Sequence, residues 1–164
     1  MKNNVSLTQT IAAALIGKGW TLALAESCTG GLVCATLTDL AGSSDWFERG
    51  YITYSNQAKA ECLGVSPELI ESFGAVSEQV AKAMAEGAQK NAGVNAAISI
   101  TGIAGPAGGS TEKPVGTVCF GWAIQNENAK NLVICKTMHF AGDRQAIREQ
   151  ARDYALSELI ELLK

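Results

Sequence analysis

The pattern of apolar and polar positions along the chain predicts strands that alternate with helices. Apolar runs bounded by glycine or polar turn residues are typical of buried strands, and we predict three, at 20–25, 50–54 and 96–101. Two more runs, 115–124 and 132–140, are joined by the polar turn 125–131, which predicts an antiparallel hairpin. Strands alternating with helices, and one late hairpin, indicate a layered α/β domain with a mixed sheet.

Capping residues and helical spacing predict the helices between these strands. Ser6 and Gln9 have the spacing of a capping box ahead of Ile11 and Leu15, which predicts the start of the first helix. Ser66 followed by Pro67 is a strong start signal for another helix. The remaining predicted helices run over 29–41, 56–63, 77–91 and 143–163.

Composition and charge narrow the class of protein. An apolar fraction of 47% and a charged fraction of 18% in 164 residues favour a globular protein, and no linker or repeat divides the chain, so residues 1–164 are predicted to form one domain. The net charge of -3, without a basic run, argues against nucleic acid as a partner. No apolar run approaches the roughly 18 residues of a membrane span, and no signal peptide is evident. We therefore expect no membrane association and a cytoplasmic location.

The cysteines and the one histidine set expectations for thiols and metals. Five cysteines, without a Cys-x-x-Cys pair, are expected to be free thiols in a reducing compartment. His139 has no second histidine to help it bind a metal, and no set of three or four ligands can be assembled. We expect no metal and no cofactor.

Ser27 is the first candidate for chemistry. It follows a predicted buried strand and precedes Gly30 and Gly31, which open a predicted helix. Ligands in α/β folds bind at the carboxyl ends of strands, and free N–H groups at a helix start suit a phosphate or a developing oxyanion. The alternative is that Ser27 only caps the helix and the glycines only form a tight turn.

Lys59 is the candidate base for Ser27, because a buried lysine with a lowered pKa is neutral and accepts a proton. Tyr54, at the end of the preceding strand, is placed to relay a proton. The alternative is that Lys59 is a solvated helix residue and that Tyr54 is an aromatic residue of the core. Cys28 is a competing nucleophile, acidified by the helix start and assisted by Glu26 and Lys59, unless it is a small packing residue.

Two further segments suit a polar ligand. The glycine-rich stretch 102–110 fits neither a Walker loop nor a dinucleotide motif, so it either wraps a ligand with backbone groups or is a flexible connection. Arg144 and Arg148 lie one turn apart at the start of the last helix, where a cation opposes the helix dipole. They therefore either pair with Asp143 or bind an anion.

Seven motifs in order resemble one family over nearly the whole chain. They are Ala-Glu-Ser-Cys-Thr-Gly-Gly (25–31), Gly-Ser-Ser-x-Trp-Phe-x-Arg-Gly (42–50), Thr-Tyr-Ser-Asn-x-x-Lys (53–59), Gly-Ala-Val-Ser (74–77), the glycine-rich 99–109, Lys-Pro-Val-Gly-Thr-Val (113–118) and Gly-Asp-Arg (142–144). This set closely resembles the C-terminal domain family of the competence/damage-inducible protein CinA, in its stand-alone form.

The resemblance implies a fold, an activity and roles for residues. The implied fold is a three-layer α/β/α sandwich with a mixed, mostly parallel sheet of about five strands, usually in a dimer or larger homo-oligomer. The implied activity is hydrolysis of nicotinamide mononucleotide to nicotinate mononucleotide and ammonia in pyridine nucleotide salvage. A non-catalytic nucleotide-binding module is the alternative. The implied catalytic residues are Ser27, Lys59 and Tyr54, and the implied substrate-contact residues are Thr101 and Arg144. We also predict that Thr29 and Gly30, at the helix start, and Gly102, in the glycine-rich loop, bind substrate.

Overall fold

The computed structural model describes residues 2–164, and this part of the chain contains six α-helices, one 3-10 helix (Ser43–Asp45) and five strands. The helices are α1 (Lys2–Lys18), α2 (Leu32–Thr38), α3 (Asn56–Leu63), α4 (Pro67–Phe73), α5 (Glu78–Ala92) and α6 (Arg144–Leu162). The strands are β1 (Leu22–Glu26), β2 (Phe47–Ile52), β3 (Ala96–Gly102), β4 (Thr117–Ile124) and β5 (Leu132–His139).

The strands of the described residues form one mixed sheet in the order β2-β1-β3-β4-β5. Strand β1 pairs in parallel with β2 and β3, whereas β4 is antiparallel to both β3 and β5. Only β4 is therefore reversed, and the other strands run in one direction. Helices cover both faces, which confirms the predicted sandwich of helix, sheet and helix layers.

The two faces of the sheet carry side chains of different size. Because side chains alternate along a strand, one face presents large residues such as Leu24, Ile98 and Phe120 to the cluster that includes α1, α2 and α6. The opposite face carries mainly alanine and glycine and packs on α5. This packing is close, since a Cβ at Gly121 would lie only 2.6 Å from the carbonyl oxygen of Ala81. The two clusters form the hydrophobic core on either side of the sheet.

Most element boundaries agree with the sequence prediction, and three do not. Helix α3 has the predicted bounds, because the Ser55 side chain accepts a hydrogen bond from the Ala58 N–H at its start and Gly64 ends it. Helix α1 begins at Lys2, so Ser6 lies within it, and the Ser6 side chain lies outside the described residues. Strand β2 begins three residues before the predicted position. Helix α2 begins at Leu32, later than predicted, because of hydrogen bonds at the candidate site that are described below.

Candidate active site

Ser27 lies at the carboxyl end of β1, between β2 and β3 in the sheet. Its N–H donates to the Ile100 carbonyl oxygen at 3.0 Å, which extends the pairing with β3 by one residue. Its own carbonyl oxygen accepts from the Gly30 N–H at 3.0 Å, which closes a turn. The residue is only 8% exposed. Ser27 is thus held at the carboxyl end of the strand, where α/β folds bind ligands.

Lys59 reaches Ser27 from α3, the helix that follows β2. Its Nζ lies 2.9 Å from Ser27 Oγ, 2.9 Å from the Thr53 carbonyl oxygen and 3.3 Å from the Tyr54 carbonyl oxygen. The residue is only 1% exposed, so it is not the solvated lysine of the alternative interpretation. Burial lowers the pKa of Lys59 below its ordinary value of 10.5. Among the described residues, no carboxylate forms an ion pair with it to oppose that shift.

The three oxygen neighbours of Lys59 suit a neutral amine. Backbone carbonyl oxygens only accept hydrogen bonds, so the oxygens of Thr53 and Tyr54 both require an N–H from Lys59. A neutral amine has two N–H groups for these carbonyls and one lone pair, which then faces the Ser27 hydroxyl. The hydroxyl can donate to this lone pair, and that is the arrangement a general base needs before proton transfer.

Glu26 explains why α2 starts later than predicted. Its fully buried carboxylate accepts hydrogen bonds from the N–H groups of Gly31, Val33 and Cys34, at 3.2, 3.0 and 2.9 Å. These are the free donors of the α2 N-terminus, so these three N–H groups are not available to hold an oxyanion. The same contacts hold the Glu26 carboxylate at the start of α2. A Glu-Lys-Cys arrangement would instead require this carboxylate to act beside Lys59.

Cys28 is poorly suited to be the nucleophile. Its side chain is 6% exposed, and burial raises the pKa of its thiol to about 12. The positive end of α2 that was expected to acidify it is already occupied by Glu26. A thiol with this pKa is protonated at neutral pH, and the thiolate is the reactive form.

Tyr54 and Arg144 form the open end of the site. The Arg144 guanidinium donates to Tyr54 Oη at 3.0 Å and to the Gly105 carbonyl oxygen at 2.8 Å. Tyr54 is 60% exposed, so the interpretation of a core aromatic is wrong, and it meets Lys59 through its carbonyl oxygen. Asp143 caps α6 by accepting from the Ala146 N–H, so it does not pair with Arg144. Within residues 2–164, Arg144 has no carboxylate partner.

A cavity of about 270 Å³ joins these two ends. Six of the predicted site residues line it: Ser27, Lys59, Tyr54, Thr101, Gly102 and Arg144. Thr29 and Gly30 do not line it, because Thr29 is fully buried and Gly30 lies on the outer side of the turn, facing Arg148. Thr101 is held in place by its hydroxyl, which donates to the Ala75 carbonyl oxygen at 2.8 Å.

The floor and one wall of the cavity come from the glycine-rich loop. A Cβ at Gly102 would lie 2.8 Å from Val118 Cγ2 and 3.1 Å from Cys28 Sγ, so the absence of a side chain keeps the floor open. Residues from Ile103 to Gly108 form the wall beside Arg144. The interpretation of this stretch as part of a ligand site is thus supported by its place in the fold.

Sequence reasoning missed one residue at this site, Asn56, and did not predict the partners of another, Arg148. Asn56 lines the cavity mouth from the first turn of α3, and its spacing of three residues from Lys59 was an available signal, since such residues share a helix face. Arg148 holds the turn after Ser27 by donating to the carbonyl oxygens of Cys28 and Thr29, at 3.1 and 2.9 Å. The sequence offered either Asp143 or an anion as the partner of Arg148, but in the structure its partners are backbone carbonyls.

Comparison with known proteins gives the family. The sequence profile of the CinA C-terminal domain matches residues 4–163. This chain belongs to the CinA C-terminal domain family. Over 150 residues it is 53% identical to the nicotinamide-nucleotide amidohydrolase PncC of Enterobacter agglomerans, covering 92% of this chain and 89% of that protein. It is 52% identical to a CinA-like protein of Syntrophobacter fumaroxidans, covering 94% of this chain but 35% of that longer protein.

The fold of a solved family member agrees closely with this one. The crystal structure of the competence/damage-inducible protein CihA from Agrobacterium tumefaciens superposes with a TM-score of 0.93 at 41% identity, over 99% of this chain and 96% of that chain. In the described part of this CinA-family chain, no helix is long and apolar enough to cross a membrane. Its five cysteines are unpaired.

Proposed function

We propose that this CinA-family protein is an amide hydrolase that converts nicotinamide mononucleotide to nicotinate mononucleotide and ammonia, with Ser27 as nucleophile and Lys59 as general base. The observation that carries the proposal is the 2.9 Å contact between Lys59 Nζ and Ser27 Oγ at the buried end of the cavity. The name of the similar Enterobacter agglomerans protein, a nicotinamide-nucleotide amidohydrolase, supports the substrate and the reaction.

The proposed mechanism takes Lys59 as a neutral amine, the form that burial favours by lowering its pKa. Lys59 takes the Ser27 proton as Oγ attacks the carboxamide carbon, and an acyl-enzyme forms when the C–N bond breaks. The ammonium of Lys59 returns this proton to the departing nitrogen, so ammonia leaves. Lys59 then deprotonates a water molecule, which attacks the acyl carbon. As the ester C–O bond breaks, Lys59 gives this proton to Ser27 Oγ, and the released acid ionises to the carboxylate. Tyr54 is not needed as the proton donor in this mechanism, because Lys59 already returns the proton to the departing nitrogen.

Arg144 supplies the charge for the phosphate of the substrate. Its guanidinium is exposed and bonded only to neutral oxygens among the described residues, so a phosphate would be its first anionic partner. A hydrogen bond between arginine and phosphate is charge-assisted and is stronger than a neutral one. In our proposal the phosphate therefore lies at the open end of the cavity and the carboxamide lies at Ser27.

A single domain, a homo-oligomer, a cytoplasmic location and a role in pyridine nucleotide salvage stay predictions from the sequence.

The test is ammonia release from nicotinamide mononucleotide, measured beside free nicotinamide and the dinucleotide. We expect turnover of the mononucleotide, and little of nicotinamide because it cannot contact Arg144. A purified, folded protein that releases no ammonia but binds the mononucleotide would support the alternative, a non-catalytic binding module. Turnover of nicotinamide at the same rate as the mononucleotide would contradict the place given to the phosphate.

A further inference from the structure

Nearly every backbone donor around Ser27 is occupied. In segment 27–34, the N–H groups of the α2 start go to Glu26, the Gly30 N–H goes to the Ser27 carbonyl oxygen, and the Leu32 N–H goes to the Thr29 carbonyl oxygen. The N–H groups of Cys28 and Thr29 have no hydrogen-bond partner in another described residue, and of these two residues only Cys28 lines the cavity beside Ser27. An N–H without a partner next to a nucleophile is a candidate for the oxyanion site.

Position in the chain supports the same donor. In serine hydrolases with a strand-turn-helix nucleophile, the N–H of the residue after the serine contributes to the oxyanion hole. Cys28 is that residue here. It would serve the site through its backbone N–H, while its buried thiol stays protonated.

Arg148 controls the orientation of this N–H through two peptide units. In a planar trans peptide the C=O and N–H point in opposite directions. Arg148 Nη2 donates to the Thr29 carbonyl oxygen at 2.9 Å, and the N–H at the other end of that peptide, of Gly30, donates to the Ser27 carbonyl oxygen at 3.0 Å. The Ser27 carbonyl belongs to the peptide whose other end is the Cys28 N–H. Arg148 Nε also fixes the peptide between these two, through the Cys28 carbonyl oxygen at 3.1 Å.

We propose that the Cys28 N–H stabilises the oxyanion in the proposed amide hydrolysis, and that Arg148 is the positioning residue that aligns and polarises it. The inference rests on the proposed function, because it needs Ser27 as the nucleophile. Hydrogen bonds in a chain polarise one another, so the charge of Arg148 at one end strengthens the donor at the other. Arg148 is half-buried and, within residues 2–164, forms no ion pair with a carboxylate that would neutralise it.

The test compares Arg148→Met, Arg148→Lys and a control, Arg152→Met. Arg152 lies one turn further along α6, and its Nε donates to Asp153 rather than to the turn. Removing one oxyanion donor from a hydrolase lowers kcat by roughly 10² to 10³, so misaligning it should cost about 10- to 100-fold. We expect this loss in Arg148→Met with KM and the pH midpoint unchanged. Arg148→Lys should recover part of it, since one ammonium can reach one carbonyl.

A second substrate separates this inference from the proposed function. Acylation by p-nitrophenyl acetate reports on Ser27 and its oxyanion site without a nucleotide. Wild-type protein that reacts with the ester but not with the mononucleotide would overturn the proposed substrate alone, and the Arg148 variants would then be compared by their ester rates. Wild-type protein that reacts with neither would overturn both. An Arg148→Met variant with unchanged kcat, with only a raised KM, or with a loss equal to that of Arg152→Met would overturn the positioning role.

Discussion

The two ends of the cavity each carry a cation, and burial makes them chemically different. Lys59 at the closed end is 1% exposed, touches only neutral oxygens and has a lowered pKa. Arg144 at the open end is exposed, and a guanidinium stays charged throughout the pH range of folded proteins. In the proposed mechanism, desolvation makes Lys59 a base, whereas Arg144, which stays in contact with solvent, keeps its charge and binds an anion. Changes at the closed end should therefore alter kcat, and changes at the open end should alter KM.

Removal of the nucleophile should give the largest effect. Ser27→Ala should lower kcat by roughly 10⁴-fold or more, because no other group can form the acyl-enzyme. Cys28→Ala should stay within about threefold of wild type, because it keeps the backbone N–H that would stabilise the oxyanion. Steady-state ammonia release measures both variants. Substantial activity in Ser27→Ala with loss of activity in Cys28→Ala would make Cys28 the nucleophile.

Loss of the base should come next. Lys59→Met fills the same buried space without a proton acceptor, and kcat should fall by roughly 10² to 10⁴ while mononucleotide binding, measured by calorimetry, is retained. Lys59→Arg is the sharper variant, because it keeps a cation that cannot act as a base. If Lys59→Arg turned over at the wild-type rate, a neutral amine at this position would be unnecessary.

Changes at the open end should act on binding. Arg144→Met should raise KM for the mononucleotide by about 10- to 100-fold, the usual range for a hydrogen bond to a charged group, with little change in kcat. Nicotinamide riboside, which lacks the phosphate, is the matched control substrate, and its kinetics should be the same in both proteins. A kcat loss on both substrates would place Arg144 at the reacting amide.

Tyr54→Phe should have a smaller effect, also at the open end. The variant removes one hydrogen bond to an exposed arginine, so KM should rise by only about two- to tenfold. The pH dependence of kcat should be unchanged, because Lys59 returns the proton to ammonia. If the variant instead lost turnover by about 100-fold or more, the usual contribution of a general acid, and its pH profile shifted, Tyr54 would be restored as the proton donor.

The smallest effect should be a pH dependence of stability at the closed end. Because the pKa of Lys59 is lowered on folding, the unfolded state holds more protons between this folded pKa and about 10.5. Raising the pH through that window should therefore stabilise the wild type relative to Lys59→Met, by at most about 1.4 kcal/mol per pH unit. Urea unfolding of both proteins at pH 7 and 9.5 measures the difference. A constant difference would mean that Lys59 remains charged in the fold.

Local hydrogen bonds explain why much of the fold could be predicted from the sequence. Ser55, Ser66 and Ser77 each accept an N–H at the start of a helix, and Gly93 ends α5 in the left-handed conformation. These signals need only neighbouring residues. The sequence prediction started α2 too early. The N–H groups at the start of this helix donate to Glu26, which belongs to the preceding strand, and a strand residue is normally interpreted as part of the sheet and not as a helix cap.

The candidate site depends on contacts that the sequence does not show. Lys59 and Ser27 are 32 residues apart, and only the parallel pairing of β1 with β2 brings their elements together. The motif resemblance named both residues, but burial, which lowers the pKa of Lys59, is a tertiary property. The contacts of Tyr54 and Arg148 could not be predicted from the sequence for the same reason, since their partners are 90 or more residues away.

The buried carboxylate of Glu26 has a consequence for product release. Nicotinamide is a neutral amide, whereas the acid formed by its hydrolysis carries a negative charge at the position where the amide stood. Burial is the main reason why the pKa of Cys28 is raised; the charge of Glu26 raises it further, and the charge of Arg148 lowers it. The charge of Glu26 should therefore disfavour the anionic product over the neutral reactant and weaken product inhibition, whereas the charge of Arg148 acts in the opposite direction.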